Sequence, residues 1–565
     1  MHDAKASTPV DELRAAVLRA CAALGATPKS APTLERPRQA AHGDYATNAA
    51  MLLAGALKAP PRDVAGRLSE AIAVELGEDL DRAEIAGPGF LNLFLTDRWH
   101  AKALEHVLAA GDGFGRVPAD APGRKKINVE FVSANPTGPV HVGGSRNAAY
   151  GDALARMLTF LGHDVHREYY VNDYGSQVLK LGESVQARAQ GVAVPEDGYQ
   201  GQYLQEVADG IPGAADGDVA EVAQQAVALM VQRVKASLEA FGVTHDTWFS
   251  EKSLHEAQPS APSRVQHAFD VLAEQGRTYR HEGALWLRTT EFGDDKDRVL
   301  ERSSGEHTYF ASDIAYHQDK RERGFDLLLD VWGADHHGYV PRMHAAFQAL
   351  GGSRDELGLL IMQFVHLVSA AGREKMSKRA GEFVTLDELV ADIGVDAARW
   401  FLLARSHDTT MDLDLDLAKS QSAENPVYYV QYAHARIASI LRRSTVTPDP
   451  TILPGAELHP SERALIQALL AFGPAVQEAA DKRAPHRVAT YILDLAQTFT
   501  AFYRDCLIVG DPAEAFRAAL AGATQQVLAA GLGLLGISAP QEMHREDAGT
   551  SADPDADADA DAAAA

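Results

Sequence analysis

A glycine turn between a short apolar strand and a helix is the first segment of this chain that could bind a ligand. Residues 127–131 alternate in polarity like a strand, and His141, Gly143 and Gly144 then begin a helix that we expect to end near Leu161. The N–H groups and dipole of a helix N-terminus attract anions, and glycine lets a phosphate or a purine come close. We predict that these three residues bind a nucleotide, with His141 donating to a phosphate oxygen. In isolation, the pattern fits a tight strand–helix turn without a ligand equally well.

A glycine-bounded basic loop, residues 372–381, is the second such segment. It follows an apolar stretch, residues 360–370, that we predict to be one buried strand, and Thr385 with Glu388 then matches a capping box that predicts a helix start. A short charged run is usually a solvated loop, but lysines between glycines can also neutralise a polyphosphate that is bound and then released. Paired with the glycine turn, the loop predicts nucleotide contacts from Lys375, Met376, Ser377 and Lys378. Our candidate catalytic residues are His141, Lys375 and Lys378.

The two segments together resemble the nucleotide-binding motifs of class I aminoacyl-tRNA synthetases. The wider context is similar to the arginyl-tRNA synthetase family in VEFVSANPTGPVHVG, GADHHGYV, GREKMSKRAG, NPVYYVQYAHARI and GLLGISAP. Two N-terminal segments, HGDYATN and GPGFLNL, resemble that family's additional tRNA-binding domain. The resemblance covers about residues 10–543. It implies an arginine–tRNA ligase with L-arginine, ATP and arginine tRNA as substrates and Mg²⁺ on the phosphates.

One position departs from the family pattern. The first motif usually ends in a second histidine, and here that position holds Gly144. The ATP contact attributed to that histidine must be lost, or made by water or by a neighbour such as Ser145 or Asn147. Because the lysines and the serine of the second motif are present, we expect an active enzyme.

Recognition of arginine requires carboxylates, since a guanidinium is planar, always charged and carries five fixed N–H donors. Glu130 and Asn135 lie at the predicted carboxyl end of the first strand, where open parallel sheets bind ligands. Tyr309 and Asp313 are four residues apart and share one face if their segment is helical, although the tyrosine could instead bond to the helix start. The resemblance implies that all four contact the amino acid and that His336 lines the site.

The histidine pair at His336 and His337 also raises the question of zinc. Adjacent histidines rarely chelate one metal, and no third ligand is found at a usual spacing. We therefore predict no protein-bound metal and treat His336 as a substrate or nucleotide contact.

The helical stretch that begins near residue 415 carries the candidate tRNA contacts. Two stripes run along one predicted helix, the first made of Tyr428, Tyr432 and Arg436 and the second of Tyr429, Ala433 and Ile437. One stripe must be core, and the stripe with the arginine could stack on anticodon bases and hold a phosphate. Lys482, Arg483 and Arg487 form a second basic island. The competing interpretation places the tyrosines in a core.

The order of these segments predicts four regions. Residues 1–115 indicate an N-terminal α+β domain. Residues 124–414 alternate short apolar strands with helices, which favours a Rossmann-like α/β catalytic domain on a mostly parallel sheet, with an insertion near residues 187–250. Residues 415–543 are nearly all helical and predict an all-α bundle. Residues 544–565 are acidic and low in complexity, and we expect them to be disordered.

Composition limits the classes of protein to which the chain can belong. Its 565 residues are 46% hydrophobic and 23% charged, as in soluble globular proteins. The net charge of −25 excludes a uniformly basic surface, so RNA would have to bind along local basic patches. Two cysteines argue against a disulfide scaffold and suit a reducing cytoplasm. We expect a cytoplasmic monomer with no signal peptide and no membrane span.

Two other functions remain open on sequence alone. Another class I-like nucleotidyltransferase could make an adenylated or cytidylylated small molecule, although such enzymes rarely need the N-terminal and helical regions. A non-catalytic tRNA-binding paralogue is the second alternative, and Gly144 is its support. A tRNA-charging assay separates the first alternative from a ligase, and ATP–pyrophosphate exchange separates the second.

Overall fold

The computed structural model describes residues 8–37, 39–257, 259, 261–370, 372–373, 384–453 and 457–543. Within these residues the strands form four sheets, one of five strands and three of three strands. The predicted nucleotide contacts Lys375, Met376, Ser377 and Lys378 lie outside the described residues, as does the tail over residues 544–565.

The N-terminal region is a three-stranded antiparallel sheet covered by helices, which confirms the predicted α+β domain. Its first helix begins after Thr8, whose side chain accepts a hydrogen bond from the Asp11 N–H and completes a capping box. The elements are α1 (Pro9–Ala23), β1 (Tyr45–Thr47), α2 (Ala49–Leu57), α3 (Pro61–Leu76), β2 (Leu80–Ala86), β3 (Phe90–Leu95) and α4 (Asp97–Ala110).

Five parallel strands form the central sheet, which confirms the predicted Rossmann-like α/β class. The chain runs outward from the middle strand, β4 (Lys126–Glu130), to β6 (Thr247–Ser250) on one side and later to β11 (Leu357–Met362) on the other. Such a switch in direction opens a crevice at the carboxyl end of the middle strand. In spatial order the strands are β11 (Leu357–Met362), β10 (Leu327–Gly333), β4 (Lys126–Glu130), β5 (Asp164–Val171) and β6 (Thr247–Ser250).

Helix α5 (Val142–Phe160) packs tightly against the middle of this sheet and has the bounds that the sequence predicts. A Cβ atom added at Gly151 would collide with the Phe131 ring, so glycine permits the close approach. The other helices of this region are α6 (Ser176–Ala189), α7 (Tyr203–Asp209), α8 (Val219–Ala240), α9 (Lys252–His255), α10 (Arg264–Glu274), α11 (Tyr309–Glu322), α12 (Val340–Ala349), α13 (Leu386–Ile393), α14 (Val395–Leu403) and α15 (Leu415–Lys419).

The prediction of one strand over residues 360–370 is wrong, because the chain changes sheets within it. Strand β11 ends at Met362, and β12 begins in a separate sheet at Val365. At the break the buried Arg146 guanidinium donates to the Gln363 carbonyl, and the Gln363 N–H donates to the His407 carbonyl. These bonds turn the backbone away from the central sheet. The two smaller sheets consist of β12 (Val365–Ser369), β13 (Gly372–Arg373) and β14 (Met411–Asp414), and of β7 (Thr278–His281), β8 (Ala284–Leu287) and β9 (Arg298–Glu301).

The insertion expected near residues 187–250 ends earlier, because residues 247–250 belong to the central sheet as β6. Trp248 stacks on Tyr169 of β5 with ring centroids 4.3 Å apart. Helices α6, α7 and α8 form the appended unit and share an apolar cluster of their own. A four-residue strand after a long helix carries too little periodic pattern to be recognised from sequence.

The C-terminal region is an all-α bundle, as predicted, and it packs on the N-terminal domain. Its helices contact α4, where the Arg463 guanidinium lies 2.6 Å from the Asp97 carboxylate and the Gln526 amide donates to the Val107 carbonyl. In the part of the chain that the structure describes, no helix has the length and apolar character needed to cross a membrane. The helices are α16 (Pro426–Arg443), α17 (Pro460–Leu470), α18 (Phe472–Asp481), α19 (His486–Asp505) and α20 (Glu514–Leu534).

Candidate active site

His141 forms the N-terminal cap of α5, at the position where the sequence predicts an anion site. Its Nδ1 atom accepts hydrogen bonds from the N–H groups of Gly143 (3.1 Å) and Gly144 (3.4 Å). An accepting Nδ1 assigns the imidazole proton to Nε2, so Nε2 is the atom that can donate to a phosphate oxygen. The cap therefore fixes both the orientation and the tautomer of the ring.

The segment that follows the basic loop is bonded directly to this cap. Residues 384–386 run antiparallel to residues 140–142, with His141 opposite Thr385. Two backbone hydrogen bonds of 3.1 and 2.7 Å flank the bridge. Thr385 then caps α13 in the predicted capping box with Glu388. The start of α5 is thus bonded to the segment that follows the second candidate nucleotide motif in the chain, although the two are far apart in sequence.

The neighbours of Gly144 are already committed to other bonds. Ser145 is fully buried, and its hydroxyl donates to the His141 carbonyl at 3.2 Å. The Asn147 side chain accepts from the Val132 N–H (2.6 Å) and donates to the Val331 carbonyl (2.8 Å). Both side chains are therefore engaged by other groups of the protein in this structure.

The turn after β4 holds two consecutive residues in the left-handed backbone region. The φ angles of Val132 and Ser133 are 71° and 40°, a conformation that is costly for a β-branched residue such as valine. The Asn147 side chain holds the Val132 N–H in place. The Ser133 hydroxyl donates to Glu130 Oε1 (2.9 Å) and accepts from the Tyr170 N–H (3.1 Å). The strained turn is therefore held by side chains at the edge of the predicted ligand site.

Glu130, a predicted arginine contact, is buried at the end of β4 among other charged side chains. Its neighbours in register are Asp330 on β10 and Glu168 on β5. The Lys320 Nζ atom lies 2.6 Å from Glu130 Oε2 and 2.8 Å from Asp330 Oδ1, and Arg323 donates two hydrogen bonds to Glu168. Burial raises the pKa of Glu130, and the Lys320 ammonium opposes that rise. The sequence alone does not identify the other four members of this charged cluster.

Tyr309 and Asp313 both lie on α11, as the sequence suggests, but their surroundings differ. The half-buried Asp313 carboxylate accepts a hydrogen bond from the Tyr339 hydroxyl at 2.5 Å. Burial raises the pKa of Asp313, whereas Tyr339, His317 and His336 oppose the rise. Tyr309 is 68% exposed at the helix start. The pair therefore combines a shielded carboxylate with an aromatic ring that faces solvent.

Asn135 and His336, the other two predicted arginine contacts, are exposed. The Asn135 amide donates to Gln177 Oε1 at 2.9 Å. His336 lies in a short 3₁₀ turn after β10, with its ring 5.7 Å from that of Trp332.

Glu251 is a buried carboxylate close to Asp313 that the sequence did not reveal. It is 4% exposed. Burial and the nearby Asp313 charge raise the pKa of Glu251 to about 7, while hydrogen bonds with Ser312 and Tyr170 oppose the rise. Its local sequence, FSEKS, has no recognisable motif, so only the fold brings it to the site. A bound cation beside it would favour its ionised form.

The stripe of Tyr428, Tyr432 and Arg436 faces outward on α16, and the parallel stripe packs into the core. The two tyrosine rings stack with centroids 6.0 Å apart and planes inclined by 10°. The Arg436 guanidinium lies 4.8 Å from the centroid of the Tyr432 ring and donates to its hydroxyl. This aromatic and cationic surface has the chemistry that single-stranded RNA bases and phosphates require.

Lys482 and Arg483 have different surroundings, although they are adjacent in sequence. The exposed Lys482 ammonium lies 2.6 Å from the Glu478 carboxylate. Arg483 is half-buried, packs against Gly358 of the central sheet, and accepts a hydrogen bond from the Tyr150 hydroxyl at its carbonyl (2.6 Å). Arg483 therefore lies where the helical bundle meets the catalytic domain.

Metal binding by the protein alone finds no support in the residues that the structure describes. They contain no group of three or more His, Cys, Asp or Glu side chains placed to hold an ion.

Three family models match successive parts of the chain. They are the arginyl tRNA synthetase N terminal domain over residues 11–95, the class I (R) tRNA synthetase catalytic domain over residues 106–207 and 214–439, and the DALR anticodon binding domain over residues 430–543. The catalytic-domain model alone covers more than half of the chain. The chain belongs to the arginyl-tRNA synthetase family.

Similarity to individual members of the family extends over nearly the whole chain. The chain is 44% identical over 554 residues to the arginine–tRNA ligase of Frankia alni, and the match covers 94% of this chain and 99% of that protein. It is 43% identical over 532 residues to the arginine–tRNA ligase of Carboxydothermus hydrogenoformans, covering 90% and 94%. The Thermus thermophilus arginyl-tRNA synthetase structure matches with a TM-score of 0.71 over 94% of this chain and 99% of that one. At 24% identity, this likeness shows a shared fold.

Proposed function

We propose that this chain is an arginine–tRNA ligase. It activates L-arginine with ATP to arginyl-adenylate and then transfers the arginyl group to the 3′-terminal adenosine of arginine tRNA. The observation that carries the proposal is the set of buried carboxylates in register with the end of β4, the strand that the chain follows with the histidine-capped start of α5. Relatives more than 40% identical that are named arginine–tRNA ligases support it.

Glu130 and Asp313 are the proposed carboxylate contacts of arginine, and Asn135, Tyr309 and His336 complete the pocket. Charge-assisted hydrogen bonds from a guanidinium are strong and directional when the carboxylates are shielded from water. Because burial raises the pKa of both carboxyl groups, a bound cation also favours their ionised form.

In the first step the arginine carboxylate attacks the α-phosphorus of ATP in line, and pyrophosphate leaves. His141, Gly143 and Gly144 are the proposed phosphate contacts at the start of α5. Lys375, Met376, Ser377 and Lys378 are the proposed contacts from the basic loop. Mg²⁺ bound with ATP would neutralise phosphate charge. The chain contributes positioning and charge neutralisation, and no side chain acts as a nucleophile.

In the second step the 2′-hydroxyl of the terminal adenosine attacks the adenylate carbonyl, and AMP leaves. The outward stripe of Tyr428, Tyr432 and Arg436 is the proposed stacking surface for tRNA bases, with Lys482 and Arg483 as further contacts. We also propose that the protein acts as a monomer. Its two unpaired, buried cysteines support the proposal that it works in a reducing cytoplasm.

Charging of arginine tRNA with labelled arginine tests the proposal. We expect esterification of arginine that depends on both ATP and tRNA. Charging with another amino acid, or none from folded protein, would refute it. A nucleotidyltransferase acting on a small molecule would consume ATP or CTP in this assay without forming aminoacyl-tRNA.

Gly144 favours a second candidate, a tRNA-binding protein without catalytic activity. ATP–pyrophosphate exchange with arginine and tRNA distinguishes the two. Exchange supports the ligase, whereas tight tRNA binding without exchange supports the non-catalytic protein.

A further inference from the structure

Three buried carboxylates lie side by side across the central sheet. Glu130 on β4 is in register with Asp330 on β10 and with Glu168 on β5. Their side chains are almost entirely buried, and neighbouring strands are only about 5 Å apart. Like charges at this spacing repel strongly away from water, so the chain must supply cations to keep all three ionised.

Helix α11 and the residue directly after it supply those cations unevenly. Arg323 bonds Glu168 through two nitrogen atoms, at 2.6 and 2.7 Å. The fully buried Lys320 instead bridges Glu130 (2.6 Å) and Asp330 (2.8 Å). Asp330 is held in turn by His317 Nε2 at 2.8 Å. Lys320 therefore touches the carboxylate that we assign to arginine, whereas Arg323 serves a neighbour of that carboxylate.

Lys320 has two opposite effects on arginine binding. A fixed ammonium beside the pocket would repel the substrate guanidinium. Its charge is shared with Asp330, however, which reduces the repulsion. Without it, Glu130 would lie next to Asp330 with no cation between them, and burial already raises the pKa of Glu130. The loss of an ionised, oriented carboxylate should outweigh the relief of repulsion.

We propose that Lys320 is a positioning residue for arginine recognition. It holds one carboxylate oxygen of Glu130 while Ser133 holds the other, and together they fix Glu130 in the orientation that receives the substrate. Ser133 donates to Glu130 Oε1 from the strained turn after β4, and Lys320 donates to Oε2. This inference rests on the proposed function, because it takes Glu130 as a contact of arginine.

The test uses the double variant Lys320→Met with Asp330→Asn, which removes one buried charge of each sign. Steady-state tRNA charging should show an arginine KM raised about tenfold or more, with the ATP KM changed less than about twofold and kcat at saturating arginine nearly retained. The matched control is Arg399→Met with Asp152→Asn, because Arg399 and Asp152 form a buried ion pair elsewhere in the catalytic domain. It should lower thermal stability but leave the arginine KM unchanged.

An arginine KM that stays the same or falls in the Lys320 variant overturns the proposal, since a fall means that repulsion was the larger effect. If that variant does not fold, Ser133→Ala carries the test. The clamp predicts an arginine KM raised about threefold to tenfold with an unchanged ATP KM, and an unchanged arginine KM overturns it. Wild-type protein that charges no arginine refutes the proposed function and this inference together. Charging with unaltered KM in the variants refutes the inference alone.

Discussion

Asp313 is the residue at which the assignment of the arginine pocket can be tested most simply. Its half-buried carboxylate accepts a hydrogen bond from the Tyr339 hydroxyl, and burial raises its pKa, so a bound cation would favour its ionised form. We expect Asp313→Ala to weaken arginine binding by about 2–5 kcal/mol, the usual cost of removing one member of a buried charge pair. Calorimetry with the folded variant measures this directly. Asp313→Asn keeps the volume and should fail in the same way, and unchanged affinity in both would remove Asp313 from the pocket.

Glu251 predicts a dependence of stability on pH. The pKa of this carboxyl rises from its ordinary 4.5 to about 7 on folding, so the folded state binds a proton that the unfolded state releases. The contribution of this group to the free energy of unfolding is therefore fully present below about pH 4.5. It is lost as pH rises through about 7, by up to about 3 kcal/mol. Chemical denaturation of wild type and Glu251→Gln at about pH 5 and about pH 8 tests this. The variant should gain relative stability at the higher pH, and parallel profiles would contradict the assignment.

Lys378 predicts a kinetic effect that separates binding from chemistry. If its ammonium meets charge that develops on the phosphates in the transition state, Lys378→Ala should lower the rate of adenylate formation and leave the arginine KM nearly unchanged. Single-turnover and steady-state assays with tRNA present measure both quantities. A large rise in arginine KM with unaltered kcat would assign this lysine to substrate binding instead.

At the residue scale, the sequence revealed the groups that belong to local motifs and missed those that the fold assembles. His141 could be recognised because a histidine next to two glycines at a helix start has a local physical reason. Lys320, Asp330 and Glu168 could not be recognised, because their proximity to Glu130 depends on strand register and on the packing of α11. From sequence alone, a charged residue in a short apolar strand is expected at the water-exposed edge of a sheet. Only the strand order shows that these residues lie inside it.

At the scale of elements, the junction between α13 and the start of α5 should couple helix capping to catalysis. Thr385 caps α13 and lies opposite His141 in the backbone bridge. We expect Thr385→Ala to cost about 1 kcal/mol of stability, the usual value for a lost cap, and also to slow ATP–pyrophosphate exchange. Thr8→Ala is the matched control, since Thr8 forms the same capping box on α1. It should lose similar stability and keep the full exchange rate. Equal exchange rates in both variants would show that the Thr385 cap does not affect the active site.

The elements themselves were predictable where their signals are local. The bounds of α5 and the capping box of α13 follow from glycine, threonine and glutamate at fixed positions. The division of residues 360–370 into β11 and β12 was not predictable. It depends on Arg146, more than two hundred residues earlier, which draws the Gln363 carbonyl out of the sheet. Apolar periodicity reports burial and carries no information on such a distant bond.

At the scale of the whole molecule, the N-terminal and helical domains meet directly. The Asp44 carboxylate, within the HGDYATN segment, accepts from the Leu95 N–H at 2.7 Å and from the Gln467 side chain of α17. The segment that resembles part of a tRNA-binding domain thus also ties that domain to the bundle. The sequence predicted both domains, but their mutual packing depends on surfaces that neither domain shows by itself.

The central claim of the account is that this chain activates arginine for transfer to tRNA, and it has one most direct test. ATP–pyrophosphate exchange should be measured with arginine, in the presence and absence of arginine tRNA, on wild-type protein. The account predicts exchange with arginine that requires the tRNA, since the family resemblance implies that tRNA must be bound before adenylate forms. Exchange at full rate without tRNA would contradict that requirement, and no exchange from folded protein that binds the tRNA would contradict the assignment of a ligase.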